Sequence, residues 1–232
     1  MTSWWAPARL AAAALTAAAI IAQLIRTLER ALHAPDSWAA HLPTVVANFF
    51  SFFTILSNVG AVVALALGGV WLLRHRHGAE PRWLSVLFAC VATYMITTGI
   101  VYNILLRGIP LDQGSTVWWS NEVLHVVAPL FLLADVLFAP QRRRLPWSTL
   151  WIVVAFPIVW VVYTMLRAPL ITAPATGAPS WYPYPFLDPA NVGGYGGVSL
   201  YVVGIAVAIL VVATGVLAVG RKRSVRPVVS AA

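Results

Sequence analysis

The chain has 232 residues, of which 60% are hydrophobic and only 9% are charged, and its mean hydropathy is +0.83. A soluble domain is nearer 45–50% apolar and about 25% charged, so a sphere of this size has no way to hide the surplus from water, and disorder is excluded by the same figures. The formal charge of +8 would suggest nucleic acid in a soluble protein. Here the basic residues fall between apolar segments, as topology-setting loops do, and nucleic acid is not expected as a partner.

Six segments reach the roughly 20 mostly apolar residues that a membrane span needs. They lie at about 6–25, 46–73, 83–106, 117–138, 147–166 and 198–220. The expectation is an all-α integral membrane bundle of six transmembrane helices, a single domain over residues 1–232. The first segment reads as a retained helix. It is long for a signal peptide and has no clear small-x-small site before Arg26. His33 and His41 follow it in a loop, and neither is given a role.

The second segment carries Asn48, Ser51, Thr54 and Asn58. As one helix they share a face about 120° wide, and polar groups in hydrocarbon are costly, so that face is expected to look inward. The following loop holds Arg74-His75-Arg76-His77. Without carboxylates or cysteines at metal spacing it reads as a solvated basic turn, and no metal or cofactor is expected. In the third segment Cys90 is a lone apolar-run cysteine with no disulfide partner. Tyr102 and Asn103 come near its end, at what would be the mouth of a pocket.

The fourth segment carries Asn121, His125 and Asp135 within about 80° of one another, while Glu122 lies about 60° round from His125. Asp135 is expected to form a local ion pair with the basic run 142–144. Between the fifth and sixth segments, residues 167–197 are rich in Pro, Gly and aromatics. They include Trp181-Tyr182-Pro183-Tyr184-Pro185-Phe186-Leu187. That composition suits a packed cap over the bundle better than a flexible linker, with an interface-lying loop as the alternative.

Eleven of the fifteen basic residues then lie on one side, with Arg9, 74–82, 142–144 and 221–226, and only Arg26, Arg30, Arg107 and Arg167 on the other. The positive-inside rule puts both termini in the cytoplasm of a multi-pass cell-membrane protein, with Trp71, Trp83, Trp118, Trp119 and Trp147 in interfacial belts. Spans two and four then run in the same direction. Thr54 and His125 each fall about eight residues in, roughly 12 Å deep at 1.5 Å per residue.

A membrane threonine ordinarily bonds its own i−4 carbonyl, and a lone histidine is often a packing residue. As a pair at one depth they have a chemistry. Neutral imidazole can take the proton from a threonine hydroxyl, which then attacks an acyl carbonyl. Asn58, Ser51, Asn103 or a backbone amide would stabilise the oxyanion, and Asn121 would orient the ring.

The run Asn48-Phe49-Phe50-Ser51-Phe52-Phe53-Thr54-Ile55-Leu56-Ser57-Asn58 resembles the second-helix motif of the androgen-induced and androgen-dependent membrane hydrolase family, which has six-helix bacterial relatives. Glu122-Val123-Leu124-His125-Val126-Val127-Ala128-Pro129 resembles its histidine motif, and Tyr182-Pro183-Tyr184-Pro185-Phe186-Leu187-Asp188 is similar to its late Tyr-Pro-Phe element. The resemblance implies a lipid-metabolising esterase that hydrolyses fatty acid esters of hydroxy fatty acids, with Thr54 as nucleophile and His125 as base. The departures, in the loops above all, fall on the substrate: a lipid-like ester is the expected partner. The competing expectation is a non-catalytic lipid-binding scaffold or small-molecule transporter.

Overall fold

The computed structural model describes residues 4–75, 78–109 and 116–224. Arg76, His77, Asp112 and Arg226 lie outside the described residues. Every element among those described is helical: α1 Trp5–Leu32, α2 Leu42–Phe49, α3 Phe53–Arg74, α4 Arg82–Leu106, α5 Trp118–Phe138, α6 Thr149–Leu170 and α7 Tyr195–Arg223. All except the short α2 are long and apolar enough to cross a membrane, which is the plan of a multi-pass membrane protein. We call the end holding Arg9, Arg142 and Arg223 the basic end, and the end covered by residues 171–194 the capped end.

Helix α4 is the most buried of the six, packed against α3, α5, α6 and α7. Helices α6 and α7 are the least buried and close one side of the bundle. The tightest pair is α1 with α3, and small residues make it so: Ala6 and Ala13 on α1 meet Ala61, Ala64 and Gly69 on α3. Between apolar helices in lipid, close backbone approach of this kind supplies the packing energy. At Gly68 there is no room for a Cβ, which would lie 2.5 Å from Phe88 Cζ and 2.8 Å from Arg9 Nη1. Gly68→Ala is therefore expected to cost about 1–3 kcal/mol by overpacking. The check is a thermal melt in detergent micelles, and an unchanged midpoint would show that Phe88 yields freely.

Two expectations about the helices need correction. The second span is not one helix from residue 46. It breaks at 50–52, where Phe52 is extended (φ −69°, ψ 126°), and α3 starts only at Phe53. At the break the Ser51 hydroxyl turns back onto the Ala47 carbonyl at 2.7 Å, a bond that Thr16 and Thr93 also make within unbroken helices. The protein satisfies the freed backbone groups, as hydrocarbon demands. Trp160 Nε1 donates to the Ser51 carbonyl at 2.9 Å, and Thr54 N–H donates to the Tyr184 hydroxyl at 3.1 Å. The four polar residues therefore do not share one helix face. Asn48 and Ser51 turn toward Arg167, while Thr54 and Asn58 turn inward.

The second correction concerns Arg9, which is no loop marker. It sits inside α1, fully buried, and its Nε and Nη1 donate to Asp135 and Glu80, each at 2.8 Å. Asp135 does pair with Arg142 as expected, but that pair is part of this larger buried group.

The cap matches its expected character. Trp181, Tyr184, Phe186 and Leu187 are buried, and Tyr184 stacks on Phe186 at 5.2 Å.

Candidate functional site

Prolines and glycines shape the neighbourhood of the two singled-out residues. In α6, Pro157 has no N–H for the Val153 carbonyl four residues back, and that carbonyl takes the Tyr94 hydroxyl instead, at 2.7 Å. In α5, Pro129 does the same to the turn that carries His125. Residues Val123–Val127 widen into a π turn, in which Ala128 N–H reaches the Val123 carbonyl. The Leu124 carbonyl is then left without Ala128, and Pro129 has nothing to offer it. Asn58 Nδ2, reaching across from α3, donates to it at 3.2 Å. Gly99 lets α4 approach this turn, since a Cβ there would lie 2.9 Å from Pro129 Cβ. Opposite, α4 makes its own π turn at Tyr102–Leu106, closed by Arg107 N–H on the Tyr102 carbonyl at 2.7 Å. Such turns are rare and concentrate at functional sites.

The His125 ring lies on the Tyr102 ring, with centroids 4.0 Å apart. Its Nδ1 is 2.9 Å from the Asn121 carbonyl. A carbonyl only accepts, so Nδ1 carries the proton of the neutral ring and Nε2 is left as the basic nitrogen. Asn121 thus orients His125 through its backbone, while its side chain bonds the Tyr102 hydroxyl. Glu122 is turned to Arg107 at 3.1 Å.

Thr54 is the second residue of α3, not the eighth of a longer span. Its N–H is one of the first four of the helix, which have no partner within it. The Tyr184 oxygen takes that N–H and lies 3.2 Å from Thr54 Oγ1. With its oxygen engaged as an acceptor, Tyr184 is placed to donate its own proton to Oγ1. Burial pushes the Tyr184 phenol above its ordinary pKa, so it stays protonated. Tyr184→Phe keeps the ring packing but strands a buried N–H. It is expected to cost about 1–3 kcal/mol, read as a lower melting midpoint. A midpoint equal to wild type would mean that another group takes up the N–H.

Thr54 and Tyr102 both line an apolar cavity of about 160 Å³. It lies under the cap between α3, α4, α6 and α7. Ile158 and Ala206 line it and are also exposed on the side of the bundle, so its mouth is lateral. Thr97 and Thr98 line it too, and their hydroxyls have no partner among the described residues. Among the described residues no hydrogen bond joins Thr54 to His125. Two groups connect them. Asn58 Nδ2 donates both to the Thr54 carbonyl at 2.9 Å and to Leu124 beside His125, and Tyr102 borders the cavity while holding the imidazole on its face.

The other expected supporting residues have different work. Both Nδ2 hydrogens of Asn58 are used by carbonyls, which leaves a buried, unpartnered Oδ1 that can only accept. Asn58 therefore has no donor to spare for an oxyanion. Ser51 lies on the far side of the helix break, bonded to the Ala47 carbonyl and 3.1 Å from the Tyr163 hydroxyl. Asn103 is exposed and donates to the Gly99 carbonyl at 2.7 Å. Of the first-turn amides of α3, the Thr54 N–H is taken by Tyr184 and the Leu56 N–H by the Phe52 carbonyl, and the Tyr184 hydroxyl remains as a donor beside Thr54. Tyr184 was not singled out in the sequence, although the Tyr-Pro-Tyr-Pro run was its signal. No family model, curated protein or solved structure matches this chain.

Proposed function

We propose that the protein is a membrane-embedded hydrolase of lipid-like carboxylic esters, related to the androgen-induced and androgen-dependent family, in which Thr54 is the nucleophile and His125 the base. The reading rests on one observation above the others. The Thr54 hydroxyl stands at a helix N-terminus, bonded to Tyr184, on the wall of an apolar cavity that opens sideways. Such a mouth suits an acyl chain arriving from lipid. The helix terminus and the Tyr184 hydroxyl suit the negative charge that develops on an attacked carbonyl.

In the reaction, Thr54 Oγ1 bonds to the ester carbon and its proton passes to His125 Nε2. No hydrogen bond joins the two among the described residues, so the transfer in this reading needs a relay through water. The tetrahedral oxyanion collapses, the C–O bond to the alcohol breaks, and the leaving alkoxide takes the proton back from His125. Water then attacks the acyl-threonine, giving its proton to His125, and free acid and Thr54 are restored. The basic end faces the cytoplasm in this reading, so the site lies toward the outer leaflet.

The experiment is labelling of purified protein with a fluorophosphonate probe alongside turnover of a panel of lipid esters. Labelling that vanishes in Thr54→Ala, together with turnover of at least one ester, is expected. A protein that neither labels nor turns over any ester is a lipid-binding scaffold or transporter and not a hydrolase.

A further inference from the structure

Arg167 lies half-buried at the capped end, and like Arg221 at the basic end it has neutral partners in place of a carboxylate. Arg9 and Arg142 have Asp135 and Glu80, and Arg107 has Glu122. Arg167 has no carboxylate partner among the described residues. Its Nη2 donates to Asn48 Oδ1 at 2.7 Å and its Nη1 to Ser51 Oγ at 3.4 Å, and its guanidinium carbon stands 5.7 Å from the Trp181 ring. These neutral groups solvate the charge without cancelling it.

Asn48 supplies the second observation. It is only 5% exposed, and its Nδ2 has no hydrogen-bond partner among the described residues. Because a guanidinium only donates, it fixes Oδ1 on its own side and leaves the buried NH2 facing elsewhere. Asn48 lines a recess of about 70 Å³ between α1, α2 and the segment after α6. Arg30 is at the rim, and Ala31, Val45, Phe49 and Trp181 form apolar walls. The recess shares Arg30 and Pro174 with a wider vestibule that holds Glu29 and Asp36. Glu29 is 3.6 Å from Arg26. The recess shares no lining residue with the cavity at Thr54.

We propose that this recess binds the oxyanion head, a carboxylate or a phosphate, of an amphiphile. The Asn48 NH2 donates to it, Arg30 meets it at the rim, and the unneutralised Arg167 behind Asn48 polarises the amide and supplies the attractive field. The volume suits a head group and not a whole lipid. The apolar walls suit the first methylenes of its chain.

The test uses the full-length protein in dodecyl maltoside and labelled oleate, with oleyl alcohol and dioleoyl phosphatidate as competitors. Oleate is no ester and Thr54 borders the other cavity, so the outcome stands apart from hydrolysis, and Thr54→Ala is expected to bind as wild type does. Oleate or phosphatidate should bind, and oleyl alcohol should fail to compete. Arg30→Gln, at an exposed position, and Asn48→Asp, which neutralises Arg167 and repels an anion, should each weaken binding by about tenfold or more. Oleate without phosphatidate identifies a carboxylate ligand, and phosphatidate without oleate a lipid phosphate. Absence of binding by both, competition by the alcohol as strong as by oleate, or affinities unchanged in both variants would overturn the site.

Discussion

Arg9→Met is expected to destabilise the protein by about 3–5 kcal/mol, because it removes the cation from a buried ionic group and leaves the anions behind. Arg9 and both acids are completely buried, and Arg142 is nearly so. The Arg9 guanidinium reaches Asp135, Glu80 and the Gly68 carbonyl, and lies 4.3 Å over the Phe88 ring; Arg142 approaches the same ring at 5.1 Å. Two cations and two anions cancel, so the native group is neutral. After the substitution it carries one negative charge with no water to solvate it.

The loss falls unequally. Asp135 keeps its bond to Arg142, but Glu80 keeps only a 3.8 Å approach to it. Glu80→Gln should therefore recover much of the loss in the Arg9→Met background while costing stability in the wild type. A double-mutant cycle of melting midpoints measures this coupling. If Arg9→Met melts with wild type, the four groups are not interacting as described.

This group also marks where the sequence could be read and where it could not. Six spans were legible because hydrocarbon admits few polar residues and the apolar runs are long. The inward position of Thr54 and Asn58 followed from the same cost. The burial of Arg9 was not legible. Its partner Asp135 lies 126 residues away, and nothing local tells a charge in the first turns of α1 from one in a loop. The break at 50–52 was hidden because Phe50, Phe52 and Phe53 read as span. The joint role of Pro129 and Asn58 depends on a hydrogen bond across helices, made to a carbonyl that the π turn leaves free. Periodicity assumes 3.6 residues per turn and cannot foresee such a turn. Equal depth for Thr54 and His125 followed only from a helix counted from residue 46, and α3 starts at Phe53, so that count does not set their relative level. Asn58 bonds the Thr54 carbonyl and the Leu124 carbonyl next to His125, but among the described residues no hydrogen bond joins Thr54 to His125.

If the hydrolase reading holds, Thr54→Ala and His125→Ala should each lower kcat by about 10³-fold or more on a lipid ester, with far smaller changes in KM. The reason is that both act on the reacting bond, whereas the chain-binding surface of the cavity is apolar and survives either change. The two losses should not add. Once the nucleophile is gone the base has no proton to take, so the double variant should be as slow as Thr54→Ala alone. Thr54→Ser restores a hydroxyl within reach of Tyr184 and should recover a substantial part of the rate. His125→Gln preserves a polar side chain on the Tyr102 face but offers no basic nitrogen, and should stay slow. A purely structural pair would behave differently: the conservative variants would track stability, and the two single losses would sum. Additive losses, or a Thr54→Ala enzyme that keeps wild-type kcat, would remove Thr54 from the chemistry and leave the cavity as a lipid-binding site.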